Sequence, residues 1–239
     1  MSRILKAYRT RFHQMLKQAG CRRVEQGVDW LENQAREISA REKVSFAESL
    51  TRVSERLASR PGFKPRTPQH SRTSAEISFF CDAGLGGLAR WLRAAGYRAS
   101  WEPGITDDTL LALARQNGQT ILTTDSMLME RRVLRDQIIP SMWLPPTMSI
   151  FEQLERVFRE FHLRVDSPRC MSCGGGLTRG DKESLRERIP PKTFRWLDEY
   201  FVCTECGKLF WHGTHWLKIA RRLNTLEREP VNGPQTAAV

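Results

Sequence analysis

The sequence lacks a long hydrophobic run, because no uninterrupted apolar segment in its 239 residues approaches the roughly 20 residues that a membrane-spanning helix needs. Its opening segment, MSRILKAYR, also lacks the apolar core of a secretory signal. These absences argue against a membrane or secreted protein, so we expect a cytoplasmic protein without a membrane partner. The length fits one large domain or two small ones.

The middle of the chain lacks the positive charge that the rest carries. Residues 1–76 contain 16 Lys and Arg against 8 Asp and Glu, and residues 149–239 contain 15 against 12. Residues 77–148 are balanced, with 7 of each sign. A net charge of +11 held mainly by the flanks favours a polyanionic partner. Ordinary solvated basic helices are the alternative.

Cysteine is sparse, but four of the six cysteines form two Cys-x-x-Cys pairs. Cys170 and Cys173 form the first pair, and Cys203 and Cys206 form the second. Two such pairs are typical of a tetrahedral structural Zn²⁺ site, in which each pair wraps one side of the metal. Two disulfides, or four unrelated thiols, are the rival interpretations. A four-cysteine site predicts a zinc ribbon and does not identify a reaction.

Hydrophobic periodicity divides the chain into parts. Apolar residues recur at helical spacing within 4–16, 24–38 and 46–57, which predicts a helical N-terminal arm. We predict an arm at 1–60, a linker at 61–75, an α/β domain at 76–148, a linking helix, zinc ribbon and closing helix at 149–226, and a disordered tail at 227–239.

The α/β domain alternates short apolar strands with helices. Strands are predicted at 77–80, 97–101, 120–123 and 138–144. Helices are predicted at 85–95, 108–116, 127–135 and 149–161, with a last helix at 214–226. Such alternation predicts a parallel sheet with helices on both faces.

Acidic residues follow the predicted strands. Asp82 comes after the first strand, Asp125 comes after the third, and Asp107 and Asp108 open a helix. Loops at the carboxyl ends of parallel strands share one edge of the sheet, so we expect these carboxylates to converge. Oxygen ligands of this kind select Mg²⁺ or Mn²⁺. Capping of the following helices is the alternative for each acid.

Basic residues near this edge are candidate phosphate contacts. Arg90 and Arg93 lie on the helix after Asp82, where they could bind phosphate or neutralise the carboxylates. His212 and His215 follow the second cysteine pair. Packing against Trp211 and Trp216 is one interpretation of these histidines, and a phosphate contact by His215 is the other.

Several of these motifs together resemble one family. The stretch FCDAGLGGLARWLRAAGY at 80–97, DDTL at 107–110, ILTTD at 121–125 and the two cysteine pairs with WHGTH at 211–215 resemble the Mut-seven C-terminal RNase-like domain family. The resemblance spans about 77–226. It implies a PIN-like nuclease fold, divalent-metal chemistry and RNA as the substrate. PIN nucleases generally assemble a fourth acid, for which the candidates here are Asp108, Glu130 and Asp136.

We therefore expect a ribonuclease in which Asp82, Asp107 and Asp125 hold catalytic Mg²⁺ or Mn²⁺, beside a structural zinc. One alternative is a non-catalytic RNA- or ribosome-binding module with a vestigial acidic site. Another is an adaptor that binds a protein partner through the helical arm and the ribbon.

Overall fold

The computed structural model describes residues 3–60 and 77–228. The predicted linker, and the predicted tail beyond residue 228, lie outside the described residues. The helices are α1 (Arg3–Gln18), α2 (Val24–Glu42), α3 (Phe46–Ala58), α4 (Gly86–Ala94), α5 (Asp107–Gln116), α6 (Arg132–Arg135), α7 (Ile150–Phe161), α8 (Pro191–Trp196) and α9 (Thr214–Arg228). The strands are β1 (Ser78–Cys81), β2 (Arg98–Ser100), β3 (Thr120–Thr123), β4 (Ser141–Trp143), β5 (Leu177–Gly180), β6 (Tyr200–Cys203) and β7 (Leu209–Trp211).

The protein is a mixed α/β structure with two sheets. A four-stranded sheet has the order β2-β1-β3-β4, and β1 pairs with β2 and β3 with β4 in parallel. A three-stranded antiparallel sheet has the order β5-β6-β7. The predicted parallel sheet with flanking helices is thus confirmed. Within the described ranges, no helix combines the length and the apolar character needed to cross a membrane.

The described residues fall into two compact units. The first lies within Met1–Arg72 and Gly104–Thr147, and the second lies within Thr73–Pro103 and Met148–Val239.

In the first unit, the three N-terminal helices pack on one another and on the end of β4. Tyr8 and Phe12 of α1 are fully buried. The Tyr8 hydroxyl lies 2.7 Å from Thr51 Oγ1 of α3, and its ring contacts the Trp143 ring edge-on with centroids 5.3 Å apart. Gln14 Nε2 donates to the carbonyl of Leu134 at 3.1 Å. The apolar face of α1 is therefore part of this unit's core.

The prediction of one continuous helix at 127–135 is wrong. A short 3₁₀ turn at Leu128–Glu130 is followed by extended backbone at Arg131 and then by α6. Leu128, Met129 and Leu134 are all buried. Six residues of unbroken α-helix would turn Leu134 roughly 120° away from Leu128. The break at Arg131 allows both leucines to reach the core.

In the second unit, α4 and α7 pack closely beside the β1–β2 pair. A side chain at Gly87 of α4 would place its Cβ 2.6 Å from Ile150 Cδ1, so glycine permits this approach. Ser149 and Glu152 form a capping box that starts α7. Aromatic rings of both helices, of β1 and of Tyr97 just before β2 fill the interface, in the contacts Trp91–Phe151, Phe79–Phe161 and Tyr97–Phe158.

Candidate functional site

The four paired cysteines come together at one end of the antiparallel sheet. Their sulfur atoms all lie within 4.8 Å of one another. The closest pairs are Cys173–Cys203 at 3.4 Å and Cys170–Cys206 at 3.6 Å. A tetrahedral zinc with Zn–S bonds of 2.3 Å needs sulfurs about 3.8 Å apart. All six cysteines are free thiols, so the structure favours the predicted metal site over disulfides.

The two cysteine knuckles have the same backbone geometry. In the first, Cys170 N donates to the carbonyl of Gly175 and Gly174 N donates to the carbonyl of Cys170. In the second, Cys203 N donates to the carbonyl of Lys208 and Gly207 N donates to the carbonyl of Cys203. Gly174 and Gly207 have φ of 90° and 67°, a region that favours glycine. In each knuckle, therefore, a glycine in the left-handed backbone region directly follows the second cysteine.

Backbone donors also surround the sulfurs. Glu205 N and Cys206 N donate to Cys203 Sγ at 3.4 and 3.5 Å. Burial raises the pKa of Cys173 to about 12. Burial acts in the same direction on Cys203, but the N–H groups of Cys206 and Glu205 outweigh it and lower the pKa of Cys203 to about 6. The thiolate, which is the form that binds zinc, is therefore favoured at Cys203.

Close packing leaves little space beside the sulfurs. A Cβ on Gly175 would lie 2.9 Å from Cys203 Sγ and 3.0 Å from Glu205 Cβ. Four soft thiol donors in this closed arrangement fit a structural Zn²⁺.

Arg93 links α4 to the first knuckle. Its side chain is buried, with 3% of the residue exposed. Nε donates to the carbonyl of Ala99 at 2.7 Å, and Nη1 donates to the carbonyls of Met171 at 3.2 Å and Ser172 at 2.8 Å. We therefore correct the expected phosphate contact of Arg93, because its guanidinium is committed to backbone carbonyls. Arg90, on the same helix, is exposed.

Asp82 and Asp125 occupy equivalent local positions. Asp82 follows β1 directly and Asp125 follows β3 after one residue, and each accepts a hydrogen bond on Oδ1 from the backbone N–H two residues later. Gly84 N donates to Asp82 at 3.0 Å, and Met127 N donates to Asp125 at 2.7 Å. The capping alternative is observed for Asp82, which is the N-cap of the 3₁₀ turn Ala83–Leu85, whereas Asp125 forms a turn that precedes the 3₁₀ turn Leu128–Glu130, whose N-cap is Met127. The hydrogen bond orients each carboxylate through one oxygen.

A tryptophan holds each of these two turns. Trp101, just after β2, donates its indole N–H to the carbonyl of Ala83 at 3.0 Å. Trp143, at the end of β4, donates its indole N–H to the carbonyl of Thr124 at 3.1 Å. β2 pairs with β1, which precedes Asp82, and β4 pairs with β3, which precedes Asp125. Each tryptophan therefore lies at the end of the strand that neighbours the acid's own strand. The sequence analysis did not identify either tryptophan as part of the site. The pattern that could have indicated them is a tryptophan at the end of the next strand along the chain after each acid.

The other acids have separate surroundings. Thr106 caps α5 by accepting from Thr109 N, so Asp107 and Asp108 lie in the first helical turn and are exposed. Asp108 forms an ion pair with Arg131. Glu130 forms an ion pair with Lys6. Asp136 forms ion pairs with Lys17, Arg132 and Arg135. Each candidate for a fourth acid therefore has a basic partner. The convergence of Asp82, Asp107 and Asp125 stays a prediction.

The histidines after the ribbon differ from each other. The His212 ring stacks on the Trp216 ring, with centroids 5.6 Å apart and planes 20° apart. The packing expected between a histidine and a tryptophan is thus found at His212. His215 is exposed in the first turn of α9.

Similarity to known proteins covers the α/β region and the ribbon together. No curated protein and no solved structure matches the chain significantly. The family model described as the Mut7-C RNAse domain matches residues 77–223, which is more than half of the 239-residue chain. The chain therefore belongs to the Mut7-C RNAse domain family.

Proposed function

We propose that the protein is a metal-dependent ribonuclease that hydrolyses phosphodiester bonds of RNA. Asp82, Asp107 and Asp125 would hold Mg²⁺ or Mn²⁺. The observation that carries the proposal is membership of an RNase domain family whose match includes all three acids. In the proposed division of the chain, the arm is 1–60, the nuclease domain is 76–148, and the linking helix, ribbon and closing helix are 149–226.

The local structure of the acids supports this assignment. Asp82 and Asp125 each engage Oδ1 in a turn, and the indole N–H groups of Trp101 and Trp143 hold the carbonyls of residues beside them. Carboxylates oriented in this way are preorganised hard ligands, so the donor chemistry fits Mg²⁺ or Mn²⁺. Such an ion, when bound, activates water and neutralises charge developing on the phosphate.

Other residues have supporting roles in the proposal. Arg90 and His215 are both exposed, and we assign them to contacts with the RNA phosphates. The four ribbon cysteines hold one structural Zn²⁺ and take no part in hydrolysis. Asp108 is left out of the metal ligands because it is paired with Arg131.

The test replaces single carboxylates with amides. In Asp82→Asn and Asp125→Asn the amide oxygen accepts the same backbone N–H, so the turns and the fold are expected to persist. Loss of a metal ligand is expected to abolish Mg²⁺- or Mn²⁺-dependent cleavage of a labelled RNA.

A control comes from Asp181, whose Oδ2 also accepts from a backbone N–H, that of Ser184 three residues later, at 2.8 Å in the ribbon region. Asp181→Asn is expected to cleave RNA like the wild type. Wild-type protein that binds RNA but cleaves it under no divalent ion would contradict the proposal. That result would favour a non-catalytic RNA-binding module.

A further inference from the structure

The peptide group that leads into Asp125 is held at both of its polar atoms. The Trp143 indole donates to the carbonyl of Thr124 at 3.1 Å, and the N–H of Asp125 donates to Thr123 Oγ1 at 2.9 Å. Trp143 and Thr123 are both buried. The Asp125 carboxylate, which is exposed, then accepts from Met127 N at 2.7 Å. Its orientation therefore depends on two side chains that lie beneath the surface.

Helix α1 supports the Trp143 indole. The Tyr8 ring, which is buried on α1, contacts the Trp143 ring edge-on with centroids 5.3 Å apart. The Tyr8 hydroxyl lies 2.7 Å from Thr51 Oγ1 of α3, and the Phe12 ring lies 6.0 Å from the Tyr8 ring. Edge-to-face pairs of aromatic rings have a preferred geometry, so a fixed Tyr8 ring restricts the indole as well.

Helix α1 also contacts the segment that follows the Asp125 turn. Gln14, which is buried, donates from Nε2 to the carbonyl of Leu134 at 3.1 Å. Ion pairs at the surface join the same helix to this segment, Lys6 with Glu130 at 3.8 Å and Lys17 with Asp136 at 3.9 Å. Ion pairs of this kind contribute little. The buried contacts of Tyr8 and Gln14 therefore dominate, and they attach α1 to residues before and after the Asp125 turn.

We propose that α1 is a positioning element of the acidic site, in which Tyr8 and Trp143 are positioning residues that fix the orientation of the Asp125 carboxylate. Helix α1 precedes residues 77–223, so membership of the family assigns it no role. A carboxylate held beforehand in its binding orientation is a better metal ligand, and loss of such support weakens metal affinity about 10–100-fold. The inference rests on the proposed function in taking Asp125 as a metal ligand.

The test measures metal binding and the Asp125 turn separately. Full-length, zinc-loaded protein is titrated with Mn²⁺, and electron paramagnetic resonance of the free ion gives the affinity. Trp143→Phe keeps a ring against Tyr8 but removes the indole N–H, and it is expected to weaken Mn²⁺ binding about 10–100-fold. Tyr8→Leu removes the ring that contacts the indole and is expected to weaken it about tenfold. Amide hydrogen exchange at Met127, measured by NMR, is expected to be faster in both variants.

Two control variants separate positioning from general effects of substitution. Trp91→Phe makes the same replacement in another edge-on pair, in which the Trp91 and Phe151 rings lie 5.8 Å apart in the second unit. Ile38→Ala removes a buried side chain of α2 and destabilises the fold while Tyr8 and Trp143 stay in place. The Mn²⁺ affinity of both folded control proteins is expected to equal that of the wild type.

Circular dichroism shows whether each variant is folded, and Tyr8→Leu serves if Trp143→Phe does not fold. Unchanged Mn²⁺ affinity and unchanged Met127 exchange in a folded variant would overturn the inference, even if the wild type binds Mn²⁺ and cleaves RNA. Equal losses of affinity in Ile38→Ala and Tyr8→Leu would also overturn it. Faster Met127 exchange in the two variants of a protein that binds no Mn²⁺ would support the positioning of Asp125 and contradict only the metal-dependent ribonuclease.

Discussion

Arg93 Nη1 donates to the carbonyl of Ser172 at 2.8 Å, so a buried guanidinium on α4 binds the loop between Cys170 and Cys173. Burial lowers the pKa of Arg93, although the nearby thiols of Cys81, Cys173 and Cys170 act in the opposite direction. The cation therefore lies close to the group of sulfurs that would carry negative charge around zinc. This contact couples the folding of the ribbon to that of the β1–α4–β2 segment.

Replacing Arg93 with Gln is expected to lower the free energy of unfolding by about 2–4 kcal/mol, because buried carbonyls lose their donors. Denaturant unfolding measures this change. Arg90→Gln on the same helix is the control, and its effect is expected to stay within about 0.5 kcal/mol, since Arg90 is exposed. Equal effects of the two substitutions would show that the carbonyl contacts contribute nothing.

The cysteine cluster is expected to contain about one zinc per chain when the protein is purified without added metal. Elemental analysis measures the content, and Cys173→Ser is expected to lower both zinc content and thermal stability. Cys21→Ser is the control, because Cys21 is an exposed thiol outside the cluster. A metal-free wild type with disulfides among these cysteines would refute the zinc site.

Tyr8 links the N-terminal helices to the turn of Asp125, since its ring contacts Trp143 and the Trp143 indole binds the carbonyl of Thr124. Tyr8→Ala is expected to lower the free energy of unfolding by about 3–5 kcal/mol, and Tyr8→Phe by only about 1 kcal/mol. Both are measured by denaturant unfolding. Trp30→Ala, at a position 52% exposed, is expected to be near neutral. A similarly small effect of Tyr8→Ala would mean that α1 does not support this unit.

Glu32 is expected to make stability pH-dependent. Burial raises its pKa, but hydrogen bonds from Arg36 and Arg9, both at 2.6 Å, outweigh burial and lower the pKa from its ordinary 4.5. Because the folded-state pKa is depressed, this stabilisation is complete above pH 4.5 and is lost as pH falls through the folded-state value.

Glu32→Gln is therefore expected to destabilise the protein by about 1–2 kcal/mol at pH 7 and to have little effect in strong acid. Unfolding curves across this pH range test the difference. Glu37→Gln on the same helix, at an exposed residue, is the control. A destabilisation by Glu32→Gln that is the same at every pH would refute the ionic explanation.

RNA affinity is expected to fall steeply with salt, because basic side chains that neutralise phosphates release counterions. For single strands the log–log slope is about −0.7 per phosphate contact. If Arg90 contacts phosphate, Arg90→Gln reduces the slope by about 0.7, whereas Arg41→Gln, exposed on α2, leaves it unchanged. An affinity independent of salt would count against a polyanionic partner.

Local patterns in the sequence were sufficient to predict the features that depend only on neighbouring residues. The Cys-x-x-Cys spacing identified the four clustered cysteines, and apolar periodicity located α1, α2 and α3 within a few residues. The acids after β1 and β3 were recognisable because a strand's end can be read from its apolar run. Each of these features is determined over a few residues, by turn geometry or by side-chain alternation.

Tertiary structure decided the roles that depend on residues far apart in the chain. The sequence alone makes Arg93 a candidate phosphate contact. In the structure its guanidinium instead donates to the carbonyls of Met171 and Ser172, 78 and 79 residues away. The helix expected at 127–135 broke because Leu128 and Leu134 are both buried. Periodicity records which residues are apolar, but the choice of partner depends on packing and hydrogen bonding between distant segments, which no local pattern contains.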